Sequence, residues 1–557
     1  MATGEKKPAP AGTGAGGDGL AVGGNHDQKQ YSTPATEKQA PSLAGLDMSD
    51  LAAQSIVTLP AGNGSGPDSP PAILEAPTDR PEHFTDLGNA YRLVRLHGAD
   101  LRHVTGWGWL SWDGQRWQRD EKTPMLRAKD IALSFYRDAE EWHDLARAHL
   151  EAAKRAAAAG DTSAQNIANE RHKELTGRAL SLASWAKASQ ARGKLEAAVK
   201  LAESERAVSA EADQFDADPW LLNCANGVLD LRTGTLRPHD RDDLLTALAP
   251  VAYDPDAKCP TWDAFLTRIM GGSSDLIGFL QRIVGYALTG SVREQAIFFL
   301  YGSGANGKST FLKTILAMLG RDYAKQAAPD VLIESRDRHP TELADLAGVR
   351  FVASIEVSEG KRLAEALVKQ LTGGDPVKAR LMRQDFFQFD PQFKIFLAAN
   401  HKPVIRGTDF AIWRRIKLIP FTVTIPEDDQ DKALGDKLLA ELPGVLAWAV
   451  RGCLDWQAGG LREPAAVSAA TAAYRAESDL LGAFLAECCE EDDPKAEVQA
   501  GPLYKAYVDW AEKNGEKPVT GTMFGRRMTE RGIDKYKDRK HRVNYIGIRL
   551  APAQPTP

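Results

Sequence analysis

Four stretches of the chain are apolar almost without interruption: residues 297–301, 349–355, 393–399 and 417–421. Short runs of this kind, bounded by turn-forming or charged residues, predict strands. Around them the apolar positions fall at helical spacing instead. Residues 311–316 predict an amphipathic helix, and a second helix is expected to end at Gly373-Gly374. Trp262, Phe265, Leu266 and Ile269, followed by Leu276, Ile277, Leu280, Ile283 and Val284, predict two helices over 261–290. Strands alternating with helices predict an α/β core over 291–455.

The flanking regions carry other patterns. Residues 1–80 are rich in Gly, Ala, Pro, Ser and Thr and lack apolar periodicity, so a disordered tail is expected there. Order is expected to start with a short helix over 85–94. Trp107, Trp109, Trp112 and Trp117 follow, with Asp113-Gly114 as a hairpin signal between them. Four tryptophans near cations either stack on bases or pack a small sheet, and packing is the reading taken. Residues 125–209 are Ala-, Arg- and Glu-rich and break at Ala159-Gly160-Asp161, which predicts a long helical hairpin. Residues 215–234 read as short strands joined by Asn-Gly and Thr-Gly turns, with their carboxylates as turn and cap residues. Domain boundaries are therefore expected near 81–209, 210–290, 291–455 and 465–550.

At the C-terminal end, 465–476 reads as an Ala-rich connector. Helices are expected from 478, over 502–513 and over 520–532, followed by a two-stranded wing at 535–537 and 543–548. Three helices and a wing predict a winged-helix-like domain. Residues 513–549 hold eleven Lys/Arg against four Asp/Glu. That local excess points to DNA, with Arg526, Arg527 and Arg531 on the would-be recognition helix.

Bulk composition limits the rest. The 557 residues are 43% hydrophobic and 26% charged, with a net charge of −6, so any nucleic-acid contact must come from local patches. The five cysteines lack C-x-x-C spacing, which speaks against a zinc site or a disulfide framework. Free thiols and the lack of a membrane-length apolar run lead to an expected cytoplasmic location, without membrane partners.

The chemistry concentrates behind the first apolar run. Gly302-Ser303-Gly304-Ala305-Asn306-Gly307-Lys308-Ser309-Thr310 fits G-x-x-x-x-G-K-[ST], with a strand before it and a helix after it. Such a loop turns successive backbone N–H groups inward as an anion nest, and the helix N-terminus adds positive potential. Lys308 is expected on the β- and γ-phosphates of ATP, and the Ser309 hydroxyl on Mg²⁺. Glu356, ending the second apolar run, is the candidate to meet Mg²⁺ and polarise water, with Glu359 as the alternative. Asn400 ends the third run, where an amide can orient water or sense the γ-phosphate. Arg414 and Arg415 precede the fourth and are candidates for an arginine finger. Lys378, Arg380 and Arg383 sit on a segment between core strands, suited to a phosphate backbone.

Taken in order, GSGANGKST, ASIEVSEG, LVKQLTGGDPVKAR, FKIFLAANHKPVIRGTD and IWRRIKLIPF resemble the superfamily 3 helicases. More narrowly, the chain resembles the helicase portion of the phage and plasmid primase-helicase family, itself related to the poxvirus helicase-primase. The likeness spans roughly 210–425 and is most specific over 297–421. It implies an AAA+-like core, hexameric rings, ATP hydrolysis at subunit interfaces and translocation on single-stranded DNA. By motif position it implies Lys308 and Ser309 as Walker A, Glu356 in Walker B and Asn400 as sensor. Arg414 or Arg415 becomes the finger, and Lys378, Arg380 and Arg383 fall near a DNA-contacting hairpin. Two departures stand out. The Walker-B stretch lacks adjacent acids, and residues 1–80 do not supply a primase domain, so any primase is expected to be encoded separately.

The leading expectation is an ATP-driven replicative DNA helicase of a phage, prophage or plasmid. The alternative is an ATP-dependent origin-binding initiator or loader. A scaffold with an inactive nucleotide loop is a third reading, disfavoured by Lys308, Glu356, Asn400 and the arginine pair.

Overall fold

The computed structural model of the protein describes residues 84–334, 340–355, 360–380, 386–405, 410–491 and 493–551. The tail expected over 1–80, Glu356, Glu359 and Arg383 lie outside the described residues.

The first ordered element is α1 (Asp86–His97), whose N-terminus is capped by the Thr85 hydroxyl accepting the Gly88 N–H at 3.0 Å. It leads into β1 (Leu101–Val104), β2 (Gly108–Trp112) and β3 (Trp117–Arg119). Asp113 turns the chain between β2 and β3, accepting the N–H groups of Gln115 and Arg116 at 2.8 Å. Trp109 and Trp117 are buried, and Trp107 packs on Phe215, so these aromatics hold the sheet together. The helical hairpin is α2 (Thr123–Ala158) and α3 (Thr162–Ser189), followed by α4 (Arg192–Ala202) and β4 (Ser209–Ala210). β4 joins the first sheet in parallel with β1, giving the order β3-β2-β1-β4.

A three-stranded antiparallel meander follows: β5 (Leu221–Cys224), β6 (Gly227–Asp230) and β7 (Thr235–Arg237). Its acids do serve as turn residues, Asp218 accepting the Trp220 N–H and Asp230 the Arg232 N–H, each at 2.9 Å. Two helices, α5 (Pro260–Ile269) and α6 (Ser274–Leu288), lead to the central layer.

That layer contains β8 (Ile297–Tyr301), α7 (Lys308–Tyr323), β9 (Ala324–Ala327), α8 (Pro340–Ala344), β10 (Phe351–Ile355) and α9 (Glu365–Gly373). The antiparallel pair β11 (Val377–Arg380) and β12 (Phe386–Phe389) comes next. After it come β13 (Lys394–Ala399), α10 (Phe410–Trp413) and β14 (Ile416–Pro420). Strands β14-β8-β13-β10-β9 form one sheet in that order, and every pair in it is parallel. Ile297 stands beside both Ile395 and Ile416 in register. Parallel strands need covering on both faces, which is why these runs are apolar throughout instead of alternating.

Period-two geometry divides their side chains. Phe298, Leu300, Phe351, Ala353, Phe396 and Ile419 enter one core, packed with Trp262, Phe279, Ile283 and Phe311 from α5, α6 and α7. Ile297, Phe299, Val352, Ile395, Leu397 and Leu418 enter the other, with Val368 of α9 and Trp413 of α10. Two helices, α11 (Leu434–Ala440) and α12 (Leu442–Gly459), complete the first core. Residues 465–476, expected as a connector, are instead most of α13 (Ala465–Glu477), which packs on β14. Tyr474 anchors it in the second core, with its hydroxyl donating to the Pro403 carbonyl. Small alanines allow close approach, and one aromatic supplies the anchor that composition alone did not reveal.

Two buried cations tie α6 to the sheet. Arg350, just before β10, donates to the carbonyls of Leu288 and Leu221 at 2.8 Å each. Lys394, opening β13, donates to the carbonyls of Thr289, Ser291 and Gln392 and lies 4.8 Å from the Tyr286 ring centroid. Helix C-terminal carbonyls otherwise left without partners attract such cations.

The C-terminal elements are α14 (Leu480–Cys488), β15 (Cys489–Glu490), β16 (Glu497–Gln499), α15 (Ala500–Lys513), α16 (Gly521–Glu530), β17 (Lys535–Lys537), β18 (Val543–Ile546) and β19 (Arg549–Leu550). Phe484, Tyr507, Phe524, Met528 and Tyr545 form their own core. No helix among the described residues is long and apolar enough to cross a membrane.

Candidate active site

The glycine-rich loop leaves β8 and enters α7 at the carboxyl edge of the parallel sheet. β8 lies between β13 and β14, and crevices at such strand ends are where parallel α/β sheets receive ligands. Two glycines have a steric reason. A Cβ on Gly302 would lie 2.1 Å from the Phe421 carbonyl oxygen, where the chain beyond β14 presses against the loop. Gly307 has φ +82°, and a Cβ there would lie 2.6 Å from Ile269 of α5. Gly307 offers no side chain to cap α7, so the first-turn N–H groups have no side-chain acceptor and suit an anion.

Lys308 is 6% exposed and folds back over the loop. Its ammonium donates to Gly302 O at 2.8 Å, Ser303 O at 3.2 Å, Asn306 Oδ1 at 2.8 Å and Asn400 Oδ1 at 3.0 Å. Burial pushes its pKa down to about 8, because the charged form loses hydration. Asn306 is buried and fixed in turn, its amide donating to the Ser303 carbonyl and, at 3.2 Å, to that of Phe421. The sequence reading placed Asn306 in the loop but missed that it anchors Lys308. Only the fold brings Phe421 within reach.

A cleft of about 490 Å³ opens here, lined by residues 304–310, Ile355, Ala398, Asn400 and His401. It therefore gathers the loop, the end of β10 and the end of β13. Ser309 is exposed toward it. Among the described residues no group of three or more His, Cys, Asp or Glu could hold a metal. Ser309 is thus the described candidate ligand, and a Mg²⁺ that keeps phosphate oxygens and waters needs only one or two protein groups.

The two arginines part company. Arg415 is buried, its guanidinium donating to Thr372 Oγ1 at 3.1 Å and to the Ala411 carbonyl at 2.7 Å. Arg414 is exposed, held at Gln295 Oε1. Neither lines the cleft of its own chain.

On the β11–β12 pair, Val377 and Ala379 face the core while Lys378 and Arg380 are exposed. Phe386, opposite Arg380, is 53% exposed. Lys378 Nζ and Arg380 Cζ lie 4.9 and 5.3 Å from its ring centroid. Phe386 was not singled out from the sequence; its signal was the Phe-Phe-Gln-Phe run complementary in alternation to Val-Lys-Ala-Arg. In α16, the reading of Arg527 as DNA-facing needs correction, because its side chain is buried. Arg527 shares a buried stripe with Phe524 and Met528, at i, i+3 and i+4, and Arg531 pairs with Asp479. Arg526 remains exposed and pairs with Glu530 at 3.6 Å.

Comparison with known proteins finds two family models that match successive parts of the chain. A model described as "D5 N terminal like" matches residues 90–271, and one described as a family of unknown function (DUF5906) matches 300–415. The chain is related to D5-like proteins of large viruses that are named putative helicases and putative primases. Among these relatives, "Putative helicase L207/L206" of Acanthamoeba polyphaga mimivirus is 27% identical over 325 residues, covering 54% of this chain and 34% of that protein. "Putative helicase 121R" of Invertebrate iridescent virus 3 is 24% identical, covering 54% and 36%. "Putative primase C962R" of African swine fever virus is 23% identical, covering 54% and 34%. The chain thus spans about a third of the length of these D5-like relatives. Among solved structures, the apo C-terminal region of NrS-1 (305–718) is 11% identical at TM-score 0.34, covering 57% of this chain and 87% of that one.

Proposed function

We propose that this chain is an ATP-driven replicative DNA helicase of a phage, prophage or plasmid, with an AAA+-like P-loop core that works in a ring, expected to be a hexamer. The observation that carries the reading is the cleft in which Lys308 of the glycine-rich loop meets Asn400 of a neighbouring parallel strand. ATP with Mg²⁺ supplies the phosphoryl group whose transfer to water releases the energy. Residues 302–310 would bind its phosphates through backbone N–H groups, Lys308 would neutralise the β- and γ-oxygens, and Ser309 with Glu356 would hold the metal. Glu356 would also polarise the attacking water, and Asn400 would orient that water or sense the γ-phosphate.

Arg414, exposed and outside its own cleft, is suited to reach a neighbouring subunit's γ-phosphate, with Arg415 as the buried post that positions it. Lys378, Arg380 and Phe386 offer single-stranded DNA two cations and an aromatic face. The deciding experiment is strand displacement on 3′-tailed and 5′-tailed duplexes with and without ATP. ATP-dependent displacement on one polarity is expected. No displacement and no DNA-stimulated hydrolysis by an oligomeric preparation would sink the reading.

A second reading is an ATP-dependent origin-binding initiator or loader. The C-terminal helices and basic hairpin, which form a winged-helix-like unit in this view, favour it. It predicts sequence-specific duplex binding that survives in Glu356→Gln. The primase would then come from a separate chain.

A further inference from the structure

The cations of the C-terminal elements differ in what already holds them. Arg527 is buried, Arg526 pairs with Glu530, Arg531 with Asp479, Arg542 with Asp538 and Arg549 with Glu490. Among the described residues, Lys537, Arg539 and Lys540 form no ion pair. All three stand on the hairpin that joins β17 to β18.

The hairpin is built to project. β17 is the edge strand in the order β16-β18-β17, and its three residues are all exposed. A strand exposed on both faces contributes little to a core, so packing does not explain its presence. Its turn is nonetheless well defined. Asp538 accepts the N–H groups of Lys540 and Arg542 at 2.8 and 2.9 Å and the Arg542 guanidinium at 2.8 Å, while His541 adopts φ +61°. A turn ordered in advance lowers the entropy lost on binding.

Register sets the direction of the charges. Lys535 lies opposite Tyr545, whose ring enters the core, and Lys537 lies opposite Val543. Residues two apart share a face, so both lysines lie on the core side of the sheet, roughly 7 Å apart. Lys535 reaches Thr529 of α16 at 3.0 Å, which sets this cationic face beside the helix. Tyr536 points the other way and donates to Glu497 at 2.7 Å. Two acids of the stretch 487–493 have other partners: Glu487 accepts the Trp510 indole N–H at 2.8 Å, and Glu490 is held by Arg549.

We propose that the β17–β18 hairpin, and not α16, is the arm that grips the phosphates of duplex DNA, through Lys535, Lys537, Arg539 and Lys540. This deepens the reading of the chain as a DNA-acting motor and rests on it. Phosphate contacts position a protein without reporting base sequence, so this grip is sequence-independent.

The test measures equilibrium binding of the full chain, without nucleotide, to two blunt duplexes of unrelated sequence across a salt series. In K537A/R539A/K540A the slope of log K against log salt is expected to become shallower by about 3, with affinity falling roughly tenfold or more and equally on both duplexes. The charge-conserving K537R/K540R is expected to keep the wild-type slope. An unchanged slope in the triple variant overturns the proposal. So does a loss confined to one duplex, a larger loss in R526A, or equally tight and equally affected binding to poly-glutamate, which would mark a protein-docking face. Melting temperatures are measured alongside, and a fall in the triple variant large enough to account for its lost affinity also overturns it. Because no ATP is present, a chain that failed to hydrolyse ATP would leave this result intact; a failed hairpin would leave the motor reading intact.

Discussion

The Lys308 ammonium lies 3.0 Å from the Asn400 amide oxygen, joining the glycine-rich loop to the end of β13 across 92 residues of chain. An ammonium has three protons, and Lys308 has four acceptors in range, so the site's cation is fully engaged by the protein itself. On the proposed function, a bound nucleotide would draw Lys308 from these carbonyls and release Asn400 in the same movement. Lys308→Ala and Asn400→Ala are each expected to lower ATP hydrolysis about 10²–10³-fold. The double variant should fall well short of the product, with a coupling of about 0.5–3 kcal/mol. Steady-state hydrolysis by the four proteins of the cycle measures it; strict additivity would mean the two residues act separately.

The lowered pKa of Lys308, about 8, gives nucleotide binding a pH dependence. Phosphate oxygens favour the ammonium, so the bound state holds the proton to higher pH than the free state. Affinity is therefore full below pH 8 and declines as pH rises through 8, with up to about tenfold lost per unit until the bound-state value is reached. Proton uptake on binding should appear above pH 8, seen by calorimetry in buffers of differing ionisation enthalpy, and should vanish in Lys308→Met.

Exposure separates the two arginines before β14. Arg414→Ala is expected to lower hydrolysis about 10³-fold or more while leaving the melting temperature unchanged. Mixing it with Lys308→Ala should restore part of the rate, because each lacks a different half of an interface site. Arg415→Ala strands Thr372 and the Ala411 carbonyl and should cost about 1–3 kcal/mol of stability. Denaturant unfolding of both variants distinguishes these outcomes; a destabilised Arg414→Ala would overturn the assignment.

Phe386 lies beside two cations of β11 and is half exposed. Phe386→Ala is expected to weaken single-stranded DNA binding by about 1–3 kcal/mol with little change in the salt slope, whereas Lys378→Ala should reduce that slope by about 1. Fluorescence anisotropy over a salt series separates stacking from charge.

Lys394 serves the end of α6 from a fully buried position, where desolvation drives its pKa well below the ordinary lysine value. Replacing it with Ala leaves the Thr289, Ser291 and Gln392 carbonyls without their donor and should cost about 1–3 kcal/mol. An unchanged unfolding midpoint would show that water replaces the ammonium.

What the sequence determined by itself is local. Apolar runs without alternation imply strands covered on both sides, and the run before Gly302 with the helix after Gly307 marks a candidate phosphate loop, because these properties depend on neighbours in the chain. The positions of Lys308, Asn400 and Arg414 along their elements were legible for the same reason. What only the tertiary structure decided is which side chains face each other across elements. The order β14-β8-β13-β10-β9 brings Asn400 to Lys308, presses Phe421 onto Gly302 and turns Arg415 inward while Arg414 stays out. In α16 the same logic withdrew Arg527 from the surface, since the stripe it shares with Phe524 and Met528 packs into the core that α15 and β18 help to form. Helical spacing defines a face, but the surfaces packed against it decide whether that face meets water, core or ligand.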